Sequence, residues 1–253
     1  MYYDAIEDIE NSIPDDSIGI PNTLYDASES TISTLSSVSD TNTFCNRYNH
    51  NNGYNGLKLG QTIVINDGMY DMRWQIAGFD LEYKKYASDG TIRDNGYGIC
   101  LVAMGGMGLV RWYNSTNGDA YYWSNCFDEC ETISSRISTI LSTHLVTRNV
   151  LVGNIAESTG HTSYTWTTAR ATLLSVGQCN GILMKNNNKY DDGEANYKLP
   201  LFNYKDYWKA DSDFWTRNLK SRNQVWCVQA IGGVDSRPCT SDWVEMRPMI
   251  YIR

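Results

Sequence analysis

Acid–base, thiol or metal chemistry in this chain would have to be built from three histidines, seven cysteines and a few acidic runs. Their spacing favours none of these. His144 follows Ile140 and Leu141 on the apolar side of a helical pattern, the setting of a core or helix-end histidine. His161 stands in a Gly-His-Thr-Ser stretch read as a turn, and His50 in an Asn-rich loop; neither has a Cys or Asp at triad-like or metal-like spacing. Cys45 and His50 form a thiol–imidazole pair that lacks an orienting third group, which only tertiary structure can bring. Cys126 and Cys130 can share a helix face, but without a nearby His they make no zinc site. The acidic run at 191–194 lacks the alternating oxygen spacing of a calcium loop and reads as a solvated turn. Gly105-Gly106-Met107-Gly108 lacks the Lys-Ser/Thr of a phosphate loop and reads as a tight turn between strands. No catalytic residue, metal ligand or cofactor is assigned, and the chain is not read as an enzyme.

The richest segment runs from Phe214 to Arg253. Trp215, Arg217, Val225, Cys227, Val228, Arg247, Pro248, Ile250 and Ile252 have the character of framework, apolar strand residues with two arginines bracing turns. Between them stand Asn223, Trp226, Gln229, Asp235, Arg237, Asp242 and Trp243, a polar and aromatic mixture that a core would not select. Apolar scaffold interleaved with such residues is the composition of a recognition surface. These seven are the candidate ligand-binding residues, expected to lie largely exposed on one contiguous face. Strand alternation sends Val225 and Cys227 to one side and Trp226 and Val228 to the other.

The elements that must position them are mixed. Strand patterns occur at 61–65, 72–79 and 98–104, with the 89–98 stretch read as a hairpin connection opened by Asp89-Gly90. Ile133, Ile137, Ile140, Leu141, His144 and Leu145 recur on one helical face. A second helix is predicted around Ser163–Val176, bringing Trp166, Ala169, Leu173 and Leu174 together. Residues 178–198 read as long loops. With no βαβ alternation and no internal repeat, the expected fold class is α+β, a single compact domain of mainly antiparallel strands with about two helices. Residues 1–55 differ: they are rich in Ser, Thr, Asp and Asn, sparse in apolar residues, and interrupted by Pro14 and Pro21. They read as an extended N-terminal arm that orders against a neighbouring subunit, with a short helix over 26–39 and a polar loop over 45–56.

Composition narrows the partners. At 253 residues the chain can bury a sizeable core, and its formal charge of −8 argues against a nucleic-acid partner. Eighteen tyrosines and eight tryptophans suit a partner-facing surface, and equally a Tyr-rich antiparallel sheet. The N-terminus has no apolar signal-peptide core, and the run at 99–104 is far too short to span a bilayer. Free cytoplasmic thiols are expected rather than a disulfide framework.

Four stretches stand in order: Gly56–Glu82 with Trp74, Trp123–Asn154 with its His-Leu-x-x-x-Arg turn, Tyr197–Asn203 with Leu-Pro-Leu-Phe, and the Trp-x-Arg to Arg-Pro ending. Together they resemble a C-terminal domain family of unknown function in tailed-phage and prophage structural proteins. The resemblance covers Gly56 to Arg253; it departs at Cys126 and Cys130, where relatives carry small or polar residues. It implies a C-type-lectin-like scaffold with a changeable ligand face, over residues 56–253. On that basis the expected protein is a bacteriophage virion surface component, capsid- or tail-attached and assembled in the host cytoplasm. Its expected partners are other virion proteins through residues 1–55, a host cell-surface glycan or protein, and further copies of itself. The alternative is a purely structural capsid or tail decoration or connector without a host ligand.

Overall fold

The computed structural model describes residues 25–253 except 81–82, 87–91, 97, 115–120, 157–159, 181–184, 187–188, 191–197 and 205–210. In chain order the strands are β1 (Thr31–Leu35), β2 (Thr62–Asn66), β3 (Asp71–Phe79), β4 (Tyr83–Tyr86), β5 (Ile92–Gly96), β6 (Ile99–Ala103), β7 (Arg148–Ala156), β8 (Gly160–Ala169), β9 (Ala171–Leu173), β10 (Lys185–Asn186), β11 (Lys189–Tyr190), β12 (Phe214–Ser221), β13 (Gln224–Val228), β14 (Val234–Pro238) and β15 (Pro248–Ile252). The helices are α1 (Val38–Arg47), α2 (Asn125–Leu141) and α3 (Val176–Asn180). A six-stranded sheet in the order β1-β2-β3-β6-β15-β9 forms the centre, and β12-β13-β14 form a second, three-stranded sheet. Together they give the expected mixed α+β architecture in one compact domain.

Burial follows strand position. β6 and β15, paired antiparallel in mid-sheet, are buried at every residue, as a strand covered on both faces must be. β3 alternates only at its outer end and is then continuously buried from Trp74 to Phe79. Cover comes from α2, which packs against β2 and β9, and from the short turn Pro200–Asn203, which packs against β3. Helix α2 opens on Ser124, whose hydroxyl accepts from Phe127 N at 3.1 Å, and it buries Ile133, Ile137, Ile140 and Leu141 as its periodicity requires. It stops at Leu141, so His144 lies in the next 3₁₀ turn as a helix-end residue. There its ring contacts the Arg253 carbonyl and Asn42 Oδ1.

The arm expectation is corrected over its described part. Tyr25–Gly56 is built into the domain: β1 pairs parallel with β2, and Leu35, Thr41, Phe44 and Cys45 are buried. The helix predicted over 26–39 is instead a strand followed by α1. Ser37 and Asp40 start that helix through a reciprocal cap, with Asp40 N donating to Ser37 Oγ at 3.2 Å and Ser36 N donating to Asp40 Oδ2 at 3.0 Å. Thr41 Oγ1 then donates to the Ile140 carbonyl at 2.9 Å and joins the two helices. The polar loop expected at 45–56 is the end of α1 and a 3₁₀ stretch, His50–Gly56. Its sparse apolar residues mislead because strand β1 borrows a partner's hydrogen bonds and only Leu35 at its end must be apolar. Residues 1–24 lie outside the described residues.

The helix expected at 163–176 is also corrected. Gly160–Ala169 is β8, paired antiparallel with β7, and Ala171–Leu173 is the edge strand β9. The Gly-His-Thr-Ser stretch is therefore strand, not turn. The run of Thr, Tyr and Trp is β-forming, and strand propensity outweighs the accidental helical spacing of Ala169 and Leu173. Ile92–Gly96, expected as connection, is β5; Asp89-Gly90 and the acidic run at 191–194 lie outside the described residues.

Candidate functional site

The framework residues of the C-terminal segment are all buried. Trp215 Nε1 donates to the Val110 carbonyl at 2.7 Å, and Thr216 Oγ1 donates to the Trp226 carbonyl at 2.7 Å. Arg217 Nη1 donates to the Leu173 carbonyl at 3.0 Å and to Gln178 Oε1 at 2.7 Å, tying β12 to β9 and α3. Arg247 Nε donates to the Ala103 carbonyl at 2.9 Å, and its guanidinium lies 5.5 Å from the Phe202 ring centre and 5.4 Å from that of Phe214. Burial pushes the Arg247 guanidinium down to about 10. Both arginines are the braces the sequence suggested.

The seven candidate residues do not share one face. Cross-strand partners in an antiparallel pair point the same way. Trp226 faces Ser236, whereas Val225 faces Arg237 and Cys227 faces Asp235. Trp226 therefore belongs to the side opposite Asp235 and Arg237, where Lys220 completes a small cluster. Lys220 Nζ lies 4.8 Å from the Trp226 ring centre and donates to Ser236 Oγ at 2.9 Å. Nor are the seven all exposed. Asn223, Asp242 and Trp243 are, while Trp226 is half-buried under Lys220, and Gln229, Asp235 and Arg237 are half-buried in a cluster in which Gln229 and Arg237 donate to Asp235.

On the second side, Arg237 is the hub. Its Nη2 donates to Asp213 Oδ2 at 2.9 Å, its Nη1 to Asp235 Oδ2, and its guanidinium lies 5.2 Å from the Trp243 ring centre. Asp213 also accepts from Ala230 N at 3.1 Å, so one carboxylate holds both Arg237 and the β13–β14 turn. That turn is closed by Gln229, whose N donates to the Gly233 carbonyl at 2.7 Å. A Cβ at Gly233 would stand 2.5 Å from Gln229 Oε1. A hydrogen bond from its own Ser236 N and one from Arg237 hold the Asp235 carboxyl below its usual range. Asn223 sits on the other hairpin turn, where its side chain accepts from Ser221 Oγ at 2.8 Å and its carbonyl from Cys239 N at 3.0 Å.

Trp243 and Asp242 are placed by a pairing the sequence does not reveal. Residues 107–113 run antiparallel to 239–246 through Met107 N to the Met246 carbonyl at 2.9 Å and a bridge between Leu109 and Glu245. Two residues on from that bridge lie Arg111 and Trp243. Arg111 Nη2 donates to Asp242 Oδ2 at 3.0 Å, which lowers the Asp242 carboxyl. Asp213, Arg111 and Lys220 are thus the residues that sequence reasoning missed. Asp213 immediately precedes β12 and Lys220 lies near its end, so both stand close to the segment singled out by the sequence; Arg111 lies far from it in the chain.

His50 is held in a cluster around Asp80. His50 Nδ1 meets Asp80 Oδ2 at 2.9 Å, Tyr54 OH donates to Asp80 Oδ1 at 2.5 Å, and Gly98 N donates to the same oxygen at 3.2 Å. Asp80 is the orienting carboxylate that the Cys45–His50 pair lacked. Cys45 itself is buried, and desolvation pushes its thiol up to about 12, so it supplies no thiolate. Among the described residues no three His, Cys, Asp or Glu side chains gather as a metal site. No helix there is long and apolar enough to cross a membrane. All seven cysteines are free and buried. No family model matches this sequence, and no curated protein and no solved structure matches it.

Proposed function

We propose that this protein is a surface component of a tailed-bacteriophage particle, and that the segment 223–243 is its recognition surface. The observation that carries the reading is the layering of the C-terminal segment. Trp215, Arg217, Val225, Cys227 and Arg247 are fully packed, while Asp242 and Trp243 of the same segment are exposed. A rigid base under a polar–aromatic outer layer is what binding without large reorganisation needs. The phage assignment itself rests on the four ordered motifs, and repeated copies on a particle would turn weak contacts into avidity.

Tryptic peptides of this chain in purified particles, together with antibody labelling of intact particles, test the location. Adhesion of the purified protein to host cells, abolished in Trp243→Ala with the melting temperature retained, tests the surface. Absence from particles ends the virion reading, and undiminished adhesion of the variant moves recognition elsewhere. A lattice-filling decoration protein is the second reading. It is favoured by Met69 and Tyr70, at 77% and 60% exposure, which crown the β2–β3 turn away from this segment in sequence. Asp67 holds that turn by accepting from Met69 N and Tyr70 N, and Arg136 clamps Asp67 from α2.

A further inference from the structure

We infer that the Trp243 side of the C-terminal sheet binds a neutral saccharide, with one sugar ring stacked on the indole; this rests on the recognition reading above. Trp243 is 49% exposed although its ring is held in place by the Arg237 guanidinium. Arg237 is in turn fixed by Asp213 and Asp235, so the ring sits on a preorganised base and loses little freedom when a ligand covers it. The indole π-face is electron-rich, and the apolar C–H face of a pyranose is its natural complement. Arg111, opposite Trp243 in the pairing that runs through the Leu109–Glu245 bridge, forms with Asp242 a paired guanidinium and carboxylate with side chains 50% and 65% exposed. Such planar groups donate to and accept from adjacent sugar hydroxyls at once.

Charge selects the class of sugar. The two arginines around the ring are already matched by Asp213, Asp235 and Asp242, and Glu245 lies over Gly106, where its Oε2 would be 1.9 Å from a Cβ. Among the described residues the arginines paired near the ring are matched by carboxylates, and the chain's overall charge of −8 disfavours a sialic acid, uronate or sulfate. Area selects against a protein ligand. A standard protein interface buries roughly 800 Å² per partner around an apolar centre. Among the described residues the exposed large apolar side chains of the C-terminal segment are Ile231 and Trp243. One indole with a polar rim matches one or two sugar rings.

The test is an array of neutral oligosaccharides (glucosyl, galactosyl, mannosyl, rhamnosyl and N-acetylhexosaminyl) and anionic ones (sialylated, uronic and sulfated), probed with the full chain. Binding should be confined to neutral glycans and fall by about tenfold or more in Trp243→Ala. It should be partly retained in Trp243→Phe, which keeps an aromatic face over Arg237, and unchanged in Met69→Ala. Near-ultraviolet circular dichroism separates loss of the site from loss of the fold. Binding to anionic glycans alone, or neutral binding unaltered in Trp243→Ala, overturns the inference. If no glycan binds while Trp243-dependent adhesion to host envelopes persists and is removed by protease treatment of the envelopes, the saccharide class is wrong and the recognition surface stands. If neither glycans nor envelopes bind, both fall.

Discussion

The Arg237 guanidinium lies 5.2 Å from the centre of the Trp243 ring, with two carboxylates, Asp213 and Asp235, gripping it from behind. The exposed tryptophan is thereby coupled to β14, and through Asp213 to the start of β12. Removing Arg237 leaves the two carboxylates facing each other with a half-buried gap between them. Arg237→Ala should cost roughly 1–3 kcal/mol in urea denaturation and shift the Trp243 fluorescence toward that of a solvated indole. An unchanged stability and spectrum would show that the contact is incidental.

Trp226 and Trp243 occupy opposite faces of the β13–β14 pair. Their alanine variants should therefore be additive in stability within about 0.5 kcal/mol, a relation a double-mutant cycle measures directly. A larger coupling would contradict the register that sets Trp226 against Ser236.

Arg247 fills the space between Phe202 and Phe214 and satisfies the Ala103 carbonyl. Arg247→Ala should lose at least ~3 kcal/mol, since it opens a cavity and orphans a buried acceptor together. Loss below 1 kcal/mol in equilibrium unfolding would mean that water replaces the guanidinium without cost.

Acid should weaken the entry into β1. Hydrogen bonds from Ser28 and then Ser30 lower the Asp26 carboxyl from 3.8 to about 2. A folded-state value below the unfolded one stabilises fully above about pH 4 and is lost as pH falls toward 2. Asp26→Asn should flatten the acid limb of a stability–pH curve between these limits. A variant with the wild-type acid limb would place the titrating groups elsewhere.

Deleting residues 1–40 should destroy cooperative unfolding, because it removes β1 from the central sheet and Leu35 from the core. The seven thiols should resist alkylation at pH 8 in the native protein and react in denaturant. Desolvation pushes Cys45, Cys100, Cys130, Cys179 and Cys227 up to about 12. Rapid labelling of any one in the native state would reveal local opening.

Period and fully apolar runs govern the part of the fold that is readable from the chain. The face of α2, the buried strands β3, β6 and β15, and the packing of Trp74 and Trp215 were legible because local spacing dictates which side must leave water, while Arg217 and Arg247 were read as braces from the framework pattern of their segment. Residue type also showed that Asn223, Trp226, Gln229, Asp235, Arg237, Asp242 and Trp243 differ in kind from their buried neighbours. Tertiary structure alone decided which of them meet. β1 was hidden because a half-exposed edge strand needs few apolar residues, and its hydrogen bonds come from β2, some thirty residues further on. β8 was misread because Trp166, Ala169, Leu173 and Leu174 fall by chance at helical spacing across the end of β8 and the short strand β9. The site was divided by the register of β13 on β14, and completed by Arg111 from a segment more than a hundred residues away. Residue types set what each side chain can bond to; only the pairing of distant strands sets which partners lie within reach.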